Sequence, residues 1–421
     1  MSKNVNVVKK ESPSKRKETL FDVVSKLGEK YNIIPQDHRD GDKFKRSIST
    51  GIAALDADLN YGKGLPLGIM CEFFGKESGG KSYLAQRICA QAQKKYPELA
   101  VVYVDLENSI VQRRIEEIGV DVSPNKYIEV PQIGNAEKTF EYLLELLREF
   151  GDKISLIVVD SLKALSMPEW SMDKQKTHLA QFLSKYIPEM HALCTKTQTT
   201  TILINQMRVD LSAVMSGFSR GPTYITPGGD TVNYFAHIRL EIKRLNWKEG
   251  MIIINNRCVG HKMTIVTKKS KLGIPQQSYS APLFYVPVAL EDRLFLLGRA
   301  NKYAGENKQI ISVRNETYSF KDFKEEGEIN FKKGLFNDNL LIDLFDELAC
   351  VCDVEGLSRL EVEEDYKNGP GKTDLKNTLS PEEAEEKWKQ EEERDEMDVN
   401  RQLEYASSLT ATLKEGDVSL V

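Results

Sequence analysis

The sequence has few of the features that mark secreted, zinc-binding or membrane-spanning proteins. Only six of its 421 residues are cysteine, and they form no C-x-x-C pair and no cysteine–histidine set with zinc spacing. The chain contains no run of 18 apolar residues and no apolar signal-peptide region near its start. We therefore expect buried thiols, no membrane contact and an intracellular, cytoplasmic protein.

An excess of positive charge is also lacking. Lysine and arginine number 58 against 63 acidic residues, and the net charge of −5 does not indicate a general nucleic-acid binder. The charge is uneven, however: residues 1–50 carry 12 basic against 7 acidic side chains, and residues 361–400 carry 15 acidic against 6 basic. A basic beginning and an acidic end can modulate the site of a charged partner.

The clearest motif is a G-x-x-x-x-G-K-S sequence, the pattern of a phosphate-binding P-loop. It follows an apolar run at 69–74 that predicts a buried strand, and it precedes a predicted helix from 82 to about 95. Glycine backbone and a helix N-terminus can surround phosphates, while a lysine adds charge and a serine hydroxyl can bind Mg²⁺. The predicted nucleotide-binding residues are Gly75, Lys76, Glu77, Ser78, Gly79, Gly80, Lys81 and Ser82.

Strand-like and helical runs alternate after the P-loop. The predicted strands are 100–106, 127–130, 154–160 and 200–205, and the predicted helices are about 110–118, 136–150 and 176–193. This alternation indicates an α/β fold with a mostly parallel sheet and helices on both faces. Three further runs, 233–245, 262–268 and 283–289, lack long helices between them and predict an antiparallel extension of the sheet.

The patterns divide the chain into four predicted segments. These are an N-terminal arm at 1–47, the α/β core at 48–290, a small α+β domain at 291–360 and an acidic, partly disordered tail at 361–421. Within the arm, apolar residues at helical spacing over 20–31 predict a short helix that covers either its own core or a neighbouring subunit. Within the tail, Ser380 to Glu383 form a capping-box pattern that predicts a helix start.

Polar side chains follow three of the predicted strands. Asp160 ends one apolar run, and in P-loop enzymes such an aspartate holds Mg²⁺ directly or through water. Asp105 and Glu107 follow another run, and either carboxylate can activate an attacking water; residue chemistry alone prefers neither. Gln206 ends a third run, where its amide can bond a γ-phosphate or simply cap the strand.

Two polar segments are candidates for contacts with phosphate. Residues 207–232 have little apolar periodicity, and a loop of this length within a compact domain is usually functional or disordered. Arg208 and Arg220 lie there among apolar and aromatic side chains, which suits single-stranded nucleic acid; a mobile surface loop is the alternative. The basic cluster at 268–271 is either a solvated face or a contact to phosphate of DNA or of a neighbouring subunit's nucleotide.

Together these motifs resemble the RecA family of DNA strand-exchange recombinases, and most of all its bacteriophage UvsX-type members. The similarity runs from about Ser49 to Pro275 and is faint beyond about residue 290. It rests, in matching order and spacing, on Ser49-Thr50-Gly51, Leu55-Asp56, Gly64–Gly68, the P-loop, Val104–Glu107, Gly119-Val120-Asp121, Ile157–Ser161, Ile204–Arg208, Gly228-Gly229 and Arg239–Arg244. The resemblance implies a RecA-like ATPase core with a short oligomerisation helix before it.

The resemblance also implies a role for each candidate residue. Glu107, rather than Asp105, is the implied catalytic carboxylate, and Gln206 senses the γ-phosphate bound by Lys81. Lys269 and Lys271 cap ATP across a filament interface. The implied DNA loops are 168–176 and 207–229, and the predicted DNA contacts in the second loop are Met207, Arg208, Arg220, Gly228 and Gly229.

The sequence departs from the family pattern at several positions. Arg114 stands where RecA has a tyrosine that stacks on adenine, and a guanidinium can stack there too. In the predicted helix at about 176–193, RecA has arginines that contact DNA, and this chain lacks them. Lys185 is the candidate that would contact DNA in their place. Asn233 and Tyr234 replace the lysine and phenylalanine that couple RecA protomers, and the second loop is several residues longer than in bacterial RecA.

The resemblance implies a recombinase that uses ATP and Mg²⁺. Such a protein forms a homo-oligomeric helical filament on single-stranded DNA and pairs it with homologous double-stranded DNA. It would act in recombination, recombination-dependent replication and repair, with single-strand binding and mediator proteins as candidate partners, in the host cytoplasm if the chain is phage-encoded. Three alternatives remain open from the sequence: a ring helicase motor, a recombinase-regulating paralogue, and a single-strand coat protein that uses ATP only for assembly.

Overall fold

The computed structural model describes residues 23–24, 26–27, 44–132, 135–165, 175–209, 224–300, 308–337, 340–349, 362–363, 366–367, 373, 375–376 and 378–414. The chain divides into two compact units, Met1–Lys45 and Arg46–Val421. In the first unit, the described residues 23–24 and 26–27 are helical. The side chains of Val23, Val24 and Leu27 are exposed there.

The strands of the second unit lie mainly in its first two thirds. In chain order they are β1 (Ser47–Ile48), β2 (Leu65–Pro66), β3 (Met70–Gly75), β4 (Ala100–Asp105), β5 (Tyr127–Pro131), β6 (Ile154–Asp160), β7 (Thr200–Gln206), β8 (Arg208–Val209), β9 (Tyr224–Ile225), β10 (Ile238–Arg244), β11 (Met251–Ile254), β12 (Arg257–Ser270), β13 (Ser278–Phe284), β14 (Ser312–Arg314), β15 (Thr317–Phe320) and β16 (Phe323–Glu326).

The helices alternate with the central strands and then cluster towards the C-terminus. They are α1 (Ala53–Asp58), α2 (Lys81–Lys95), α3 (Gln112–Glu117), α4 (Ala136–Phe150), α5 (Gln175–Thr197), α6 (Gly229–Phe235), α7 (Trp247–Gly250), α8 (Leu290–Ala300), α9 (Glu328–Asn337), α10 (Leu340–Ala349) and α11 (Pro381–Lys414). Short 3-10 helices occupy Asn60–Gly62, Gly151–Lys153 and Leu162–Ala164.

A nine-stranded sheet organises the second unit. Its order is β11-β12-β10-β3-β7-β6-β4-β5, with β13 paired to β12. The strands from β10 to β5 are parallel, whereas β11, β12 and β13 pair in an antiparallel manner. Since all parallel strands point the same way, their carboxyl ends meet at one edge, where open α/β sheets bind ligands. The predicted α/β fold with an antiparallel extension is confirmed.

Two strand predictions in the extension need correction. The run 233–245 was expected to belong to the antiparallel part. Its strand β10 does pair antiparallel with β12, but on its other side it lies parallel to β3, with Ile238 opposite Cys71. The seven-residue helix α6 supplies the crossover that a parallel connection needs, and it is too short to stand out as a helical period. The strand predicted at 283–289 lies earlier, at Ser278–Phe284.

The apolar spacing of the sequence accounts for the main core. Every residue of β6 is buried, and α4 and α5 direct apolar side chains such as Phe140 and Leu183 into one cluster with the sheet. Asn135 caps α4 by accepting a hydrogen bond from the Lys138 amide at 2.9 Å. The buried sheet is therefore a rigid support for the loops that follow its strands.

Residues 290–349 have a second apolar cluster of their own. Helices α8, α9 and α10 pack around residues such as Leu294, Phe331 and Leu344, beside the small antiparallel sheet β14-β15-β16. Arg46–Val421 nevertheless forms one compact unit. The boundaries predicted at 290 and 360 stay predictions.

The acidic end of the chain differs from the solvated tail that its composition suggests. Helix α11 runs from Pro381 to Lys414, and its capping box forms: the Ser380 amide donates to Glu383 Oε2 at 2.7 Å, and the Glu383 amide to Ser380 Oγ at 3.2 Å. Ala384 and Trp388 are only 3% and 4% exposed, so the first turns of the helix are packed.

Two further expectations concern thiols and membranes. Of the six cysteines, the four within the described residues, Cys71, Cys89, Cys194 and Cys258, are unpaired and buried. Burial raises the pKa of each thiol, which keeps it protonated and unreactive at neutral pH. In the part of the chain that is described, no helix combines the length and apolar character needed to cross a bilayer.

Candidate functional site

The P-loop lies between β3 and α2 and touches the neighbouring strand β10. A Cβ atom on Gly75 would lie 2.1 Å from the Ile242 carbonyl oxygen, and one on Gly79 would lie 2.9 Å from the same atom. Gly80, with φ of 99°, is the N-cap of α2. Only glycine permits this close approach and this backbone conformation, so the glycines of the motif are needed to place its N–H groups at the helix start.

The side chain of Lys81 lies inside the P-loop. It is almost fully buried, and its ammonium group donates to the Lys76 carbonyl oxygen at 2.6 Å. Burial lowers the pKa of Lys81, while the charges of Asp160, Glu77 and Glu107 oppose that shift. The lysine therefore stands within the field of three carboxylates, a position that favours binding of an anion accompanied by a metal cation.

Asp160 and Ser82 form an oxygen-rich pair beside the lysine. The Tyr103 hydroxyl donates to Asp160 Oδ2 at 2.7 Å, and the Ser82 side chain is also hydrogen-bonded to Asp160. Burial raises the pKa of Asp160, with smaller contributions in the same direction from Glu107 and Asp105. A carboxylate and a hydroxyl are hard ligands that suit Mg²⁺, which commonly takes one or two protein ligands together with phosphate oxygens.

The described residues contain no cluster of three or more histidine, cysteine or acidic side chains that could hold a metal by itself.

Glu107 and Asp105 have different surroundings. Asp105 is buried and accepts backbone hydrogen bonds from Glu107, Ser109 and Ile110 at 3.2, 2.8 and 3.0 Å, so its oxygens hold the turn after β4. Glu107 is exposed and accepts one hydrogen bond, from the Ser161 hydroxyl at 2.5 Å. This arrangement leaves Glu107 as the carboxylate that can accept a proton from water.

These groups meet in one cavity of about 430 Å³. The cavity is lined by Glu77, Ser78, Lys81, Ser82, Glu107, Asp160, Ser161, Lys163, Ala164, Ile204 and Gln206. They come from the carboxyl ends of parallel strands, from the loops after them, and from the first residues of α2 and the 3-10 helix that follows β6. Parallel pairing of the strands brings residues more than one hundred positions apart together. The structure thus brings together the predicted P-loop, metal, catalytic and sensor residues.

A larger cavity of about 780 Å³ adjoins the other side of the P-loop and shares Ser78, Lys81 and Ser82 with the first. Arg114, predicted to stack on a base, lines it from helix α3 and is exposed. Tyr285 and Pro287 line it from the segment after β13. A mixed apolar and polar cavity of this size suits a small ligand with one phosphate-bearing end.

Comparison with known proteins places this geometry in a family. A family model described as the RecA N-terminal domain matches residues 17–287. Protein RecA of Aquifex aeolicus is 31% identical over 328 residues, which cover 76% of this chain and 86% of that relative. The chain belongs to the RecA family.

Other relatives agree with this assignment. Protein RecA of Thermus aquaticus is 34% identical over 243 residues, and the match spans 56% of this chain and 66% of that relative's length. The mitochondrial DNA repair protein recA homolog 3 of Arabidopsis thaliana is 30% identical over 281 residues, covering 65% of this chain and 62% of the relative. A special likeness to UvsX-type members stays a prediction.

In this RecA-family chain, the P-loop is joined to both ends of the predicted second DNA loop. At its start, the Met207 amide donates to the Gly75 carbonyl oxygen at 3.2 Å. At its end, the Lys76 ammonium lies 5.5 Å from the centre of the Tyr224 ring. The segment therefore leaves and rejoins the core at the P-loop, through the paired strands β8 and β9.

A buried polar network holds the same junction. Glu72 in β3 is fully buried; its Oε1 accepts from the Asn205 amide at 2.9 Å, and its Oε2 accepts from Arg239 Nε at 2.5 Å. The Asn205 amide also donates to the Pro227 carbonyl oxygen at 2.9 Å, and Arg239 Nη2 to the Thr226 hydroxyl at 3.2 Å. The residue next to the predicted γ-phosphate sensor is thus hydrogen-bonded to the end of the loop.

The residues predicted to contact DNA differ in their exposure and in whether the structure describes them. Gly228 and Gly229 begin α6 with φ of 101° and 65°, and Gly228 is buried. Arg208 lies on β8, and only its backbone is described. Arg220 and most of the predicted first loop lie outside the described residues. Lys185 on α5 is exposed and bonded to Glu137 Oε1 at 2.9 Å.

Lys269 and Lys271 do not line either of these two cavities of their own chain, judged on the residues described. Their ammonium groups donate to the Tyr234 carbonyl oxygen at 3.2 and 3.3 Å, and Lys269 also donates to the Asn233 carbonyl oxygen. Burial lowers the pKa of Lys269, and the charge of Lys271 adds to this. Both lysines therefore belong to the surface around Asn233 and Tyr234, away from this chain's P-loop.

The structure adds residues that sequence reasoning missed. Ser161 and Lys163 lie within three residues of Asp160, so their position after the strand of the predicted metal ligand could have indicated them. Lys163 is paired with Glu77 at 2.9 Å. Lys387, Trp388 and Glu391 also line the larger cavity. No local motif marks those three, because they lie about 300 residues after the P-loop.

Proposed function

We propose that this protein is an ATP-dependent DNA recombinase that forms filaments on single-stranded DNA and catalyses homologous pairing and strand exchange. Its roles would be recombination, recombination-dependent replication and repair, in the cytoplasm. The observation that carries the proposal is the convergence of Lys81, Ser82, Glu107, Asp160 and Gln206 on one cavity, at the junction with the 207–229 segment. Membership of the RecA family supports it.

ATP would bind with its phosphates on the P-loop and its base in the larger cavity, near Arg114. Ser82 and Asp160 would bind Mg²⁺, and the metal would neutralise charge on the phosphates. Lys81 would add positive charge beside the phosphates. The Ser161 hydroxyl holds Glu107 in position by a hydrogen bond, and Glu107 would accept the proton of the attacking water. Gln206 would donate its amide N–H to the γ-phosphate.

The hydrogen bonds around Gln206 suggest how ATP would affect DNA binding. A change at the γ-phosphate would reach Asn205 and Met207 on either side of the sensor, and through them Pro227 and Gly75. We propose that ATP favours a loop arrangement in which Met207, Arg208, Arg220, Gly228 and Gly229 contact the DNA backbone, with Lys185 nearby. Such a switch requires only that DNA binds one of the two arrangements better.

The active form would be a homo-oligomeric helical filament. We propose that Lys269 and Lys271 reach the ATP of a neighbouring protomer, since they lie away from their own P-loop. The N-terminal helical segment, with exposed Val23, Val24 and Leu27, would dock on a neighbour as well. Single-strand binding and mediator proteins are the further partners that this function would require.

The decisive experiment measures ATP hydrolysis with and without single-stranded DNA. We expect strong stimulation by DNA, and we expect Glu107→Gln to lower kcat at least about 100-fold, because the general base is lost. The matched control is Glu145→Gln, an exposed position on α4, which should hydrolyse ATP as the original chain does. Homologous pairing assays would follow. Hydrolysis that ignores DNA would contradict the recombinase proposal and favour a motor with another track.

A further inference from the structure

The first turns of α11 are joined to the antiparallel edge of the sheet, close to the nucleotide cavities. The Cys258 amide donates to the Leu379 carbonyl oxygen at 2.8 Å, and Arg257 Nε donates to the Thr378 hydroxyl at 3.0 Å. Farther along, Arg244 Nη1 pairs with Glu391 Oε2 at 2.8 Å. These contacts connect the beginning of the acidic helix to β10 and β12, the strands beside the P-loop.

One face of α11 carries these contacts. Ala384 and Trp388 are buried and Glu391 is half-buried, and spacings of four and three residues place them on one side of a helix. The Trp388 ring packs edge-on against His261, with ring centres 5.9 Å apart, and lies 4.5 Å from the Arg244 guanidinium. Tyr285 joins this group, since its hydroxyl lies 2.6 Å from His261 Nδ1.

The same helix face lines the larger cavity opposite the P-loop. Ala384, Lys387, Trp388 and Glu391 share this cavity of about 780 Å³ with Gly79–Ser82 and with Arg113 and Arg114 of α3. The helix continues towards the phosphate end: the pKa of Glu77 is lowered chiefly by the hydrogen bond from Lys163, and the charge of Arg394 contributes to that shift. The first turns of α11 therefore line the larger cavity, and the charge of Arg394 farther along the helix acts on Glu77 of the P-loop.

The expected position of ATP determines what occupies this cavity. The phosphates belong at the P-loop backbone, and the smaller cavity beyond it holds the metal and water ligands. The nucleoside must therefore extend to the other side, into the space between α3, the segment after β13, and α11. Aromatic and cationic side chains such as Trp388 and Arg114 suit the planar face and polar edge of a base.

We propose that α11 forms one side of the nucleoside-binding cavity, so that the acidic C-terminal helix is part of the nucleotide site of its own chain. This inference rests on the proposed ATP-binding function. Binding of nucleotide and docking of the helix are then linked, and each raises the equilibrium constant of the other by the same factor. Lys387 and Trp388 would contribute to affinity for the nucleoside but not for the triphosphate group.

The test compares two probes on each variant by calorimetry: the β,γ-imido analogue of ATP, and inorganic tripolyphosphate, both with Mg²⁺. For a chain ending at Ser380, and for Trp388→Leu, we expect the Kd of the analogue to rise about tenfold, the size of one lost stacking contact, with the Kd of tripolyphosphate unchanged. Lys387→Gln should weaken the analogue alone. The matched control, Glu386→Gln, lies on the exposed side of the helix and should bind both probes normally.

The possible outcomes separate this inference from the proposed function. Failure of the full chain to bind the analogue overturns both. Normal binding by the full chain with no loss in the truncated chain or in Trp388→Leu overturns the role of α11 alone. Equal weakening of both probes also overturns it, because the P-loop itself is then disturbed. A second readout uses the double variant Trp170→Phe with Trp247→Phe, in which Trp388 is the single tryptophan. Binding of the analogue should change the fluorescence emission of Trp388. Unchanged emission would contradict the proposal.

Discussion

At the scale of single residues, the proposed nucleotide site has charged groups in buried positions. Asp160 is 4% exposed, and burial raises its pKa above the ordinary aspartate value. An acid with a raised pKa in the folded state contributes stability that is fully present below its unfolded pKa, and this contribution is lost as the pH rises through the folded pKa. The nucleotide-free protein at neutral pH therefore carries a cost for the ionised carboxylate.

We accordingly expect Asp160→Asn to stabilise the protein without nucleotide and metal. The gain should be on the order of 1 kcal/mol at neutral pH, and it should shrink as the pH falls through the raised pKa of Asp160, where the original carboxyl becomes protonated. Thermal unfolding in a chelating buffer across this pH range measures it. The same variant should lose Mg²⁺-dependent nucleotide binding. A constant difference at every pH would contradict the explanation by charge burial.

A second residue-scale prediction concerns Glu72, which is bonded to both Asn205 and Arg239. Replacing Glu72 by Gln leaves the Arg239 charge without its anion in a largely buried place, where its side chain is 15% exposed. Loss of one partner of a buried pair is costly, so we expect the free energy of unfolding to fall by about 3 kcal/mol. Denaturant unfolding measures this change.

The matched control is an exposed ion pair, Lys321 with Asp343 at 3.3 Å, whose side chains are 42% and 52% exposed. Asp343→Asn should change the free energy of unfolding by less than about 1 kcal/mol, because solvent screens an exposed pair. Similar losses in the free energy of unfolding for Glu72→Gln and Asp343→Asn would contradict the explanation by burial of the Glu72–Arg239 pair.

At the scale of secondary-structure elements, α11 packs against a buried imidazole, that of His261. Burial lowers the pKa of His261 to about 4, and the charges of Arg244 and Arg114 act in the same direction. The groups that face it are these two arginines, the Tyr285 hydroxyl and the Trp388 ring. Since the folded state favours the neutral ring, stability is fully present above the unfolded pKa of 6.5 and is lost as the pH falls towards 4.

We therefore expect the α11 contact to weaken in acid before the sheet unfolds. Full protonation of His261 would cost roughly 3 kcal/mol, because burial lowers its pKa from 6.5 to about 4. In the chain with Trp388 as its single tryptophan, emission should shift towards that of an exposed indole between pH 6.5 and 4. His261→Gln is the control, because it cannot titrate and should remove this pH dependence. An identical acid transition in that variant would identify another titrating group.

At the scale of the whole molecule, the sequence predicted what depends on local patterns. The P-loop, Asp160, Glu107 and Gln206 each follow an apolar strand, and parallel pairing then brings strand ends together at one edge. Residue type does not distinguish Glu107 from Asp105 as the proposed general base, whereas their surroundings in the structure differ. The difference depends on the backbone amides at 107, 109 and 110, which bond to Asp105 only once the turn is formed.

Features that depend on contacts between residues far apart in the sequence were not predicted. Strand β10 is parallel to β3 because the short α6 provides a crossover, and seven residues are too few to show a helical period. The docking of α11 depends on Trp388 meeting His261 and Arg244, more than one hundred residues earlier. Composition alone describes that helix as a solvated acidic segment, since only a few apolar residues determine where it packs.

The last prediction concerns assembly. Val24 and Leu27 are 43% and 57% exposed in the single chain, although apolar side chains on a short helix gain stability when they are buried. We expect Val24→Asp with Leu27→Asp to prevent filament formation on single-stranded DNA, while calorimetry shows unchanged nucleotide binding per protomer. Electron microscopy and sedimentation measure the assembly. The matched control is Lys26→Glu, which also adds negative charge between these two positions but removes no apolar surface, and it should still form filaments. Filaments of normal length from the double variant would show that this segment does not hold neighbouring protomers together.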